Sequence, residues 1–427
     1  GSMGNGNVDP YSYTSEMTVV TASDIVLGGG LPSYTTVGST VPVSLTWEKS
    51  TTYDVGLDLD FFNNRLSVSG DYYRRYTTDM YTPSISLPSV YGTTSPKGNN
   101  AELRTTGWEL SFTWRDSFKL GGKPFDYSIK AMVWDNRTVV TKYENATRSL
   151  GTLKGYIQNG GSPSDFYEGM ELGEMWGYTV AGLFRDQADI DSSATHDFTQ
   201  ASDKVTRPGQ VKIADLDHNG NIDPGAFTAD DHGDLSIIGN TSPRYCYSLA
   251  AGARWNGIGL SMVWQGVGRR DWYPAKESGY FWGQYGRPYS MALPWHTTDR
   301  WSPENRGAYW PRLVAYAACD SGTILSQPNT RYLQDASYIR LKNLTIDYNF
   351  PKELIGKIGL QALKIYFSGE NLLTFSPLKK HAKNYDPEGI YAGDADYGTG
   401  KYGTDNFGDG DGYPVMKSYT IGLTLTF

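Results

Sequence analysis

The chain has 427 residues, enough for two or three ordinary domains or one large barrel. Its formal net charge of -8 gives no basic surface for nucleic acid. No apolar run approaches the roughly 20 residues of a transmembrane helix, yet 14% of the residues are aromatic, 32 of them Tyr. Strands that cross a membrane hide their apolar half in alternation, so low mean hydropathy does not exclude them. The two cysteines, Cys246 and Cys319, fit no metal or redox spacing and read as free thiols.

In chain order, Tyr53, Val55, Leu57, Leu59 and Phe61 share one face of a strand. Asn63-Asn64 then turns into Leu66, Val68, Gly70 and Tyr72, a tight-hairpin pattern. Trp108, Leu110, Phe112 and Trp114 alternate in the same way. A Gly-Gly-Lys-Pro turn leads from them to Phe125, Tyr127, Ile129, Ala131 and Val133. Tyr245, Tyr247, Leu249, Ala251 and Ala253 turn at Trp255-Asn256-Gly257 and return through Ile258, Leu260, Met262 and Trp264. Leu344, Ile346, Tyr348 and Phe350 end at Pro351, a short helical turn spans Lys352 to Ile358, and Leu363, Ile365 and Phe367 follow.

The last stretch alternates most regularly. Tyr419, Ile421, Leu423, Leu425 and Phe427 fall on one side, and Ser418, Thr420, Gly422, Thr424 and Thr426 on the other. That pattern fits a strand with lipid on one face and a polar lumen on the other, and also the edge strand of a soluble sandwich. The loops discriminate between the two. Segments 80–101, 143–243, 268–336 and 375–415 are long and rich in Gly, Pro, Asp and Tyr, and they alternate with short turns. Every long loop then lies on one side, the asymmetry of an outer-membrane barrel. The expected fold is all-β, an antiparallel transmembrane barrel with its C-terminus on the short-turn side. A soluble secreted β-rich binding module is the alternative, separable by detergent dependence.

Recurring motifs run through the chain in order: Gly1 to Asn7, Thr46-Trp47-Glu48-Lys49-Ser50, Thr105 to Glu109, and Glu168-Gly169 through Trp176-Gly177-Tyr178 to Gly182-Leu183-Phe184. They continue with Asp215 to Asp223, Ile238-Gly239, Pro243, Arg300 to Asn305 and Pro311-Arg312-Leu313. Last come Ser337 to Asn343, Gly369 to Leu372, Asp386-Pro387-Glu388 and the terminal strand. In this order and spacing the chain resembles the C-terminal part of the SusC/RagA-like TonB-dependent transporters of the Bacteroidetes outer membrane. The resemblance implies that residues 1–427 are the C-terminal portion of a 22-stranded, plugged barrel, contributing about ten strands. It implies that Gly1-Ser2-Met3 is native sequence. It further implies that signal peptide, carboxypeptidase-like extension, TonB box, plug and first strands precede this segment. Its other implications are import of an oligosaccharide or peptide, a plug driven by TonB, and a SusD-like lipoprotein closing over the long loops.

Asp215-x-Asp217-x-Asn219-Gly220-Asn221-Ile222-Asp223 has oxygen ligands at positions 1, 3, 5 and 9, a carbonyl at 7 (Asn221) and Gly at the sharp turn. That is the order a Ca²⁺ loop needs. Position 12 is Ala226, which cannot coordinate. In the family that the chain resembles, this position is an acid just before a short run ending Ile-Gly. The resemblance thus implies that Asp234, ahead of Leu235 to Gly239 and displaced by an insertion spanning Pro224 to Asp231 at its widest, stands in for it, with Asp230 and Asp231 as further candidates. The plain alternative is an Asp/Asn/Gly turn without metal.

Between Asp271 and Trp310 the aromatic density is highest. Trp301 and Trp310 belong to the recurring motif and read as structural. Trp272, Tyr273, Tyr280, Phe281, Trp282, Tyr285, Tyr289 and Trp295 are candidates for substrate or partner contact, and equally for packing of loop on loop. Polar strand positions Asn343, Thr345, Asp347, Lys364 and Tyr366 are expected to line the channel or seat the plug. The histidines fit no catalytic set, and HExxH and P-loop spacings are absent, so an enzyme is the least favoured class.

Overall fold

The computed structural model describes residues 14, 17–23, 26–37, 45–83, 97–145, 147–150, 166–196, 205–274, 278–286, 291–313, 319, 323–390 and 415–427. The opening motif Gly1 to Asn7 and the candidate Tyr289 lie outside them. Nine strands form one sheet: β1 (Lys49–Phe61), β2 (Leu66–Pro83), β3 (Lys97–Leu120), β4 (Lys123–Lys142), β5 (Arg244–Trp255), β6 (Ile258–Arg269), β7 (Tyr338–Asn349), β8 (Ala362–Phe375) and β9 (Ser418–Thr426). Their order in space is their order in sequence, and every neighbouring pair is antiparallel. Nine strands among the described residues stand beside an expectation of about ten for the whole chain. A separate hairpin, Met17–Thr21 with Ser33–Val37, went unnoticed in the sequence because its strands are short.

The short turns follow from residues that tolerate positive φ. Gly121 and Gly122 (φ 59 and 80) and Asn256 and Gly257 (φ 49 and 85) each make a two-residue turn of the mirror-image kind that matches strand twist. Lys123 and Pro124, expected in the first of these turns, already belong to β4. The β7–β8 connection carries a helical turn over Lys352–Ile355 and a tighter one over Gly356–Ile358, as expected. The pairing Ala362↔Thr426 puts the chain's end beside this connection, on the short-turn side.

Register sorts the two faces. One cross-strand row reads Phe61, Leu66, Trp114, Ile129, Ala251, Met262, Leu344, Gly369 and Tyr419. The adjacent row reads Asp60, Ser67, Thr113, Lys130, Ala250, Val263, Asn343, Glu370 and Ser418. Apolar side chains thus carpet one face while the other is mainly polar. The apolar side chains stand uncovered, Ile421 at 79% exposure, with no second sheet packed on them among the described residues. An exposed apolar face of this extent has lipid as its natural solvent. At 18, 24 and 20 residues, β2, β3 and β4 are about twice as long as the 9–11 residues that span a bilayer. They therefore continue past the membrane, β2 and β3 into the 80–101 segment that the sequence assigned to a loop.

β1 and β9 occupy the two edges of the sheet and do not pair with each other. In hydrocarbon such edges leave backbone donors and acceptors unsatisfied, so the sheet is the wall of a larger closed structure.

Three tyrosines lie flat across the glycine opposite them on the next strand: Tyr73 over Gly107, Tyr247 over Gly266 and Tyr366 over Gly422. A Cβ at any of these glycines would run into the ring. Gly422→Val in the full-length protein is expected to lose about 1–3 kcal/mol by overpacking. The readout is the fraction of heat-modifiable barrel in the outer membrane. Tyr366→Ala in the same chain should recover it, whereas a loss that persists in the double variant refutes the packing explanation.

Candidate functional site

On the long-loop side the connections β4–β5 and β6–β7 pack as one body. A hairpin of Glu174–Tyr178 with Leu235–Asn240 is joined by a second, Val180–Leu183 with Val211–Ile213. Gly177 lets the backbone of Pro328 approach where any side chain would block it. The Tyr178 N–H can then donate to the Pro328 carbonyl (2.8 Å) and the Thr330 N–H to the Tyr178 carbonyl (3.0 Å).

Ionic clusters fasten this body to the strands. Arg244 at the start of β5 forks onto Asp135 of β4 (2.6 Å to each oxygen) and reaches Glu171 (3.1 Å). Arg340 of β7 is 2% exposed; it donates to Asp386 (2.6 Å) and to Thr374 Oγ1 (2.9 Å) and lies 3.2 Å from Glu388. Lys342 takes the other side of Glu388 (3.0 Å). The Asp386-Pro387-Glu388 motif thus acts as a clasp on the inner face of β7. The sequence displayed both motifs but gave no sign that they meet.

The aromatic segment folds inward. Phe281 and Trp282 are fully enclosed, Trp272, Tyr273 and Tyr285 are buried beside them, and Trp310 stacks on Tyr285 and Tyr332. The polar tips of Trp282, Tyr285 and Tyr273 are satisfied internally. Trp282 Nε1 donates to the Pro274 carbonyl (3.0 Å), Tyr285 OH to Pro311 (2.7 Å) and Tyr273 OH to Gln327 (3.0 Å). Burial raises the phenol pKa of Tyr273, Tyr285, Tyr309 and Tyr332, which keeps them as donors, and lowers that of the His296 imidazole against Tyr285 and Trp310. This corrects the contact reading for Trp272, Tyr273, Phe281, Trp282 and Tyr285. They are the core of the loop body, because loops this long need an apolar centre of their own. Tyr280 is exposed, at 43%, and Trp295 is partly buried beneath Lys383.

The acidic loop folds as its spacing requires. The Gly220 N–H donates to Asp215 Oδ2 (3.0 Å), the Asn219 N–H to Asp217 Oδ1 (3.0 Å) and the Asn221 N–H to Asn219 Oδ1 (2.7 Å). Ile222 is buried and pairs with His196. The insertion leaves at Asp223 and returns at Asp234, whose N–H donates to the Asp223 carbonyl (2.9 Å). Asp234 is fully buried, and carboxylate oxygens of Asp215, Asp217 and Asp234 lie within 4.8 Å of one another. Asp223 stands outside that trio and accepts from the Gly225 N–H (2.7 Å). Of the other two candidates, Asp230 pairs with Arg148 and the Asp231 carbonyl accepts from Thr228. Asp215 Oδ1 is buried with no hydrogen-bond partner. An orphaned carboxylate oxygen facing a ring of other oxygens fits a hard cation.

The inner face of the sheet holds Asn343, Thr345, Asp347, Lys364 and Tyr366 as expected. Asp347 is shared by Arg254 (3.3 Å) and Lys364 (3.5 Å), in a recess of about 890 Å³ near the short turns.

An antiparallel meander with an uncovered apolar outer face, a polar inner face and folded loops at one end defines the wall of a transmembrane β-barrel. The chain belongs to the TonB-dependent receptor-like β-barrel family, whose model matches residues 7–372, and that family resides in the outer membrane. It is 29% identical over 431 residues to TonB-dependent receptor P3 of Formosa agariphila, covering 100% of this chain and 38% of that relative. To the TonB-dependent receptor SusC of Bacteroides thetaiotaomicron it is 24% identical over 392 residues, covering 90% of this chain and 32% of the relative. Among solved structures, the RagAB peptide transporter superposes with a TM-score of 0.67 at 21% identity, over 100% of this chain and 40% of that chain. The chain thus spans about two fifths of the length of the relatives it matches.

Proposed function

We propose that this chain is the C-terminal wall and loop body of a TonB-dependent importer that takes up an oligosaccharide or a peptide. In that reading a SusD-like lipoprotein docks on the long-loop side and TonB acts through a plug seated against the polar inner face. The observation that carries it is the division of labour between a lipid-facing sheet and a folded body at one end, larger than connection needs. Of the described candidate contacts, exposed Tyr280 and partly buried Trp295 remain. Deleting the full-length gene should abolish growth on the transported nutrient, and restoring it should restore growth. Unchanged growth of the deletion strain on every glycan and peptide source tested would reject import.

We further propose that Asp215, Asp217, Asn219, the Asn221 carbonyl and Asp234 hold one Ca²⁺, with Asp223 acting through water, and that the ion braces the loop without taking part in transport chemistry. Chelation of the full-length protein should expose the 205–240 region to protease, and Ca²⁺ but not Mg²⁺ should restore protection. The Asp215→Ala variant should be cleaved equally with and without chelator. Cleavage of the wild type that ignores chelator refutes the site.

A further inference from the structure

The loop body carries a second recess, of about 630 Å³, lined by Arg185, Arg300, Arg306 and Arg312 together with Asp186, Trp301 and Pro303. Two of these guanidiniums are balanced locally. Arg185 lies 3.3 Å from Asp189, and Arg306 lies 3.7 Å from Asp186. Asp189 is shared further with Lys212, at 2.9 Å. Arg300 and Arg312 have no ion pair or side-chain hydrogen bond among the described residues, although backbone contacts fix both. The Arg312 N–H donates to the Gly209 carbonyl (2.7 Å), and Arg300 bridges to Trp310.

In a chain with a net charge of -8, unpaired arginines held on a rigid frame around one hollow are not explained by solubility. The frame is rigid because Gly209 (φ 87) is packed directly against the Trp301 ring, where a side chain would displace it. Each guanidinium presents a planar fork of donors that matches a carboxylate or sulfate group.

We propose that this recess binds an acidic sugar of the imported cargo, one that bears carboxylate or sulfate groups, with Arg300 and Arg312 as its principal anchors. The balance of donors and acceptors selects a sugar over a peptide. An extended peptide needs acceptors for its own backbone N–H groups, and the charged acceptor in the lining, Asp186, already caps the Asp189 N–H at 3.0 Å and faces Arg306. An acidic saccharide is rich in acceptors and complements a wall of donors. Only the word cargo rests on the import reading; binding itself is measured on purified protein and stands or falls separately from growth.

The test uses purified full-length transporter and calorimetry with four probes: trigalacturonate, galactose 6-sulfate, neutral galactotriose and triglutamate. At least one acidic sugar should bind more tightly than galactotriose, with an affinity that falls as salt rises. Arg300→Gln with Arg312→Gln should weaken that binding at least about tenfold, and Arg300→Lys with Arg312→Lys less so. Both pairs are surface-exposed, and unchanged heat-modifiable gel mobility should confirm an intact barrel. Equal binding of acidic and neutral sugars, no binding of either acidic sugar, or full affinity in the glutamine variant overturns the proposal. Tighter binding of triglutamate than of either acidic sugar also overturns it, in favour of an acidic peptide.

Discussion

Trp282→Ala should unfold the loop body while leaving the barrel in the membrane. Trp282 is fully enclosed, its ring packs against Phe281, Trp310 and Tyr332, and its N–H is hydrogen-bonded to Pro274. Removing a buried Trp costs about 3–5 kcal/mol through lost burial and the cavity left behind. The strands have their own ladder of backbone hydrogen bonds, so the damage stays local. Protease added to intact cells should cut within 270–337 in the variant and not in the wild type, while heat-modifiable mobility of the barrel persists. Tyr280→Ala, two positions earlier and exposed, should leave the cleavage pattern unchanged. Equal protease resistance of Trp282→Ala and the wild type would show that the aromatic cluster does not hold the loops together.

Arg340→Ala is expected to be comparably severe for a different reason. The substitution removes the cation between Asp386 and Glu388 and leaves Lys342 beside Glu388 and the more distant charge of Lys379 near Asp386 to oppose two carboxylates in a half-buried site. Breaking a buried pair by deleting one partner typically costs about 3–5 kcal/mol, most of it from the charge left behind. The clasp should open and the segment from 376 to 390 should become cleavable. Arg340→Ala combined with Asp386→Asn and Glu388→Gln should recover much of the loss, since no excess charge remains. If the triple variant is as labile as the single one, packing of the Arg stem matters more than its charge.

Much of the sheet was legible because a membrane wall enforces strict alternation. Tyr53 to Phe61 and Tyr419 to Phe427 could be assigned face by face, and Gly121-Gly122 and Asn256-Gly257 marked their turns through the backbone freedom they supply. The strand ends were less clear. Beyond the bilayer one face no longer meets lipid, so β3 continues up to its start at Lys97 without the apolar signature that betrayed its middle. Whether Trp272 and Trp282 pack or bind stayed open in the sequence because composition reports aromatic density without direction, and a ring that packs inward looks the same in sequence as one that greets a ligand. Asp234 could be placed beside Asp215 and Asp217 because the resemblance calls for an acid there. Arg340 and Asp386 were not linked, since contacts across 46 positions leave no local trace. The arginine recess escaped for the same reason, with Arg185 and Arg312 coming from different connections.

The buried aromatic body also bears on how a protein of this family can change its surface over evolutionary time. Its centre is interlocked: Trp310 stacks on both Tyr285 and Tyr332, and Pro328 fits only because position 177 is bare. A substitution there disturbs two connections at once and is purged before any new preference is tested. The rim is decoupled from that constraint, since Arg300 and Arg312 project from backbone that others hold in place. Descendants can therefore exchange a few rim side chains on an unchanging frame, one substitution at a time, without passing through an unfolded intermediate.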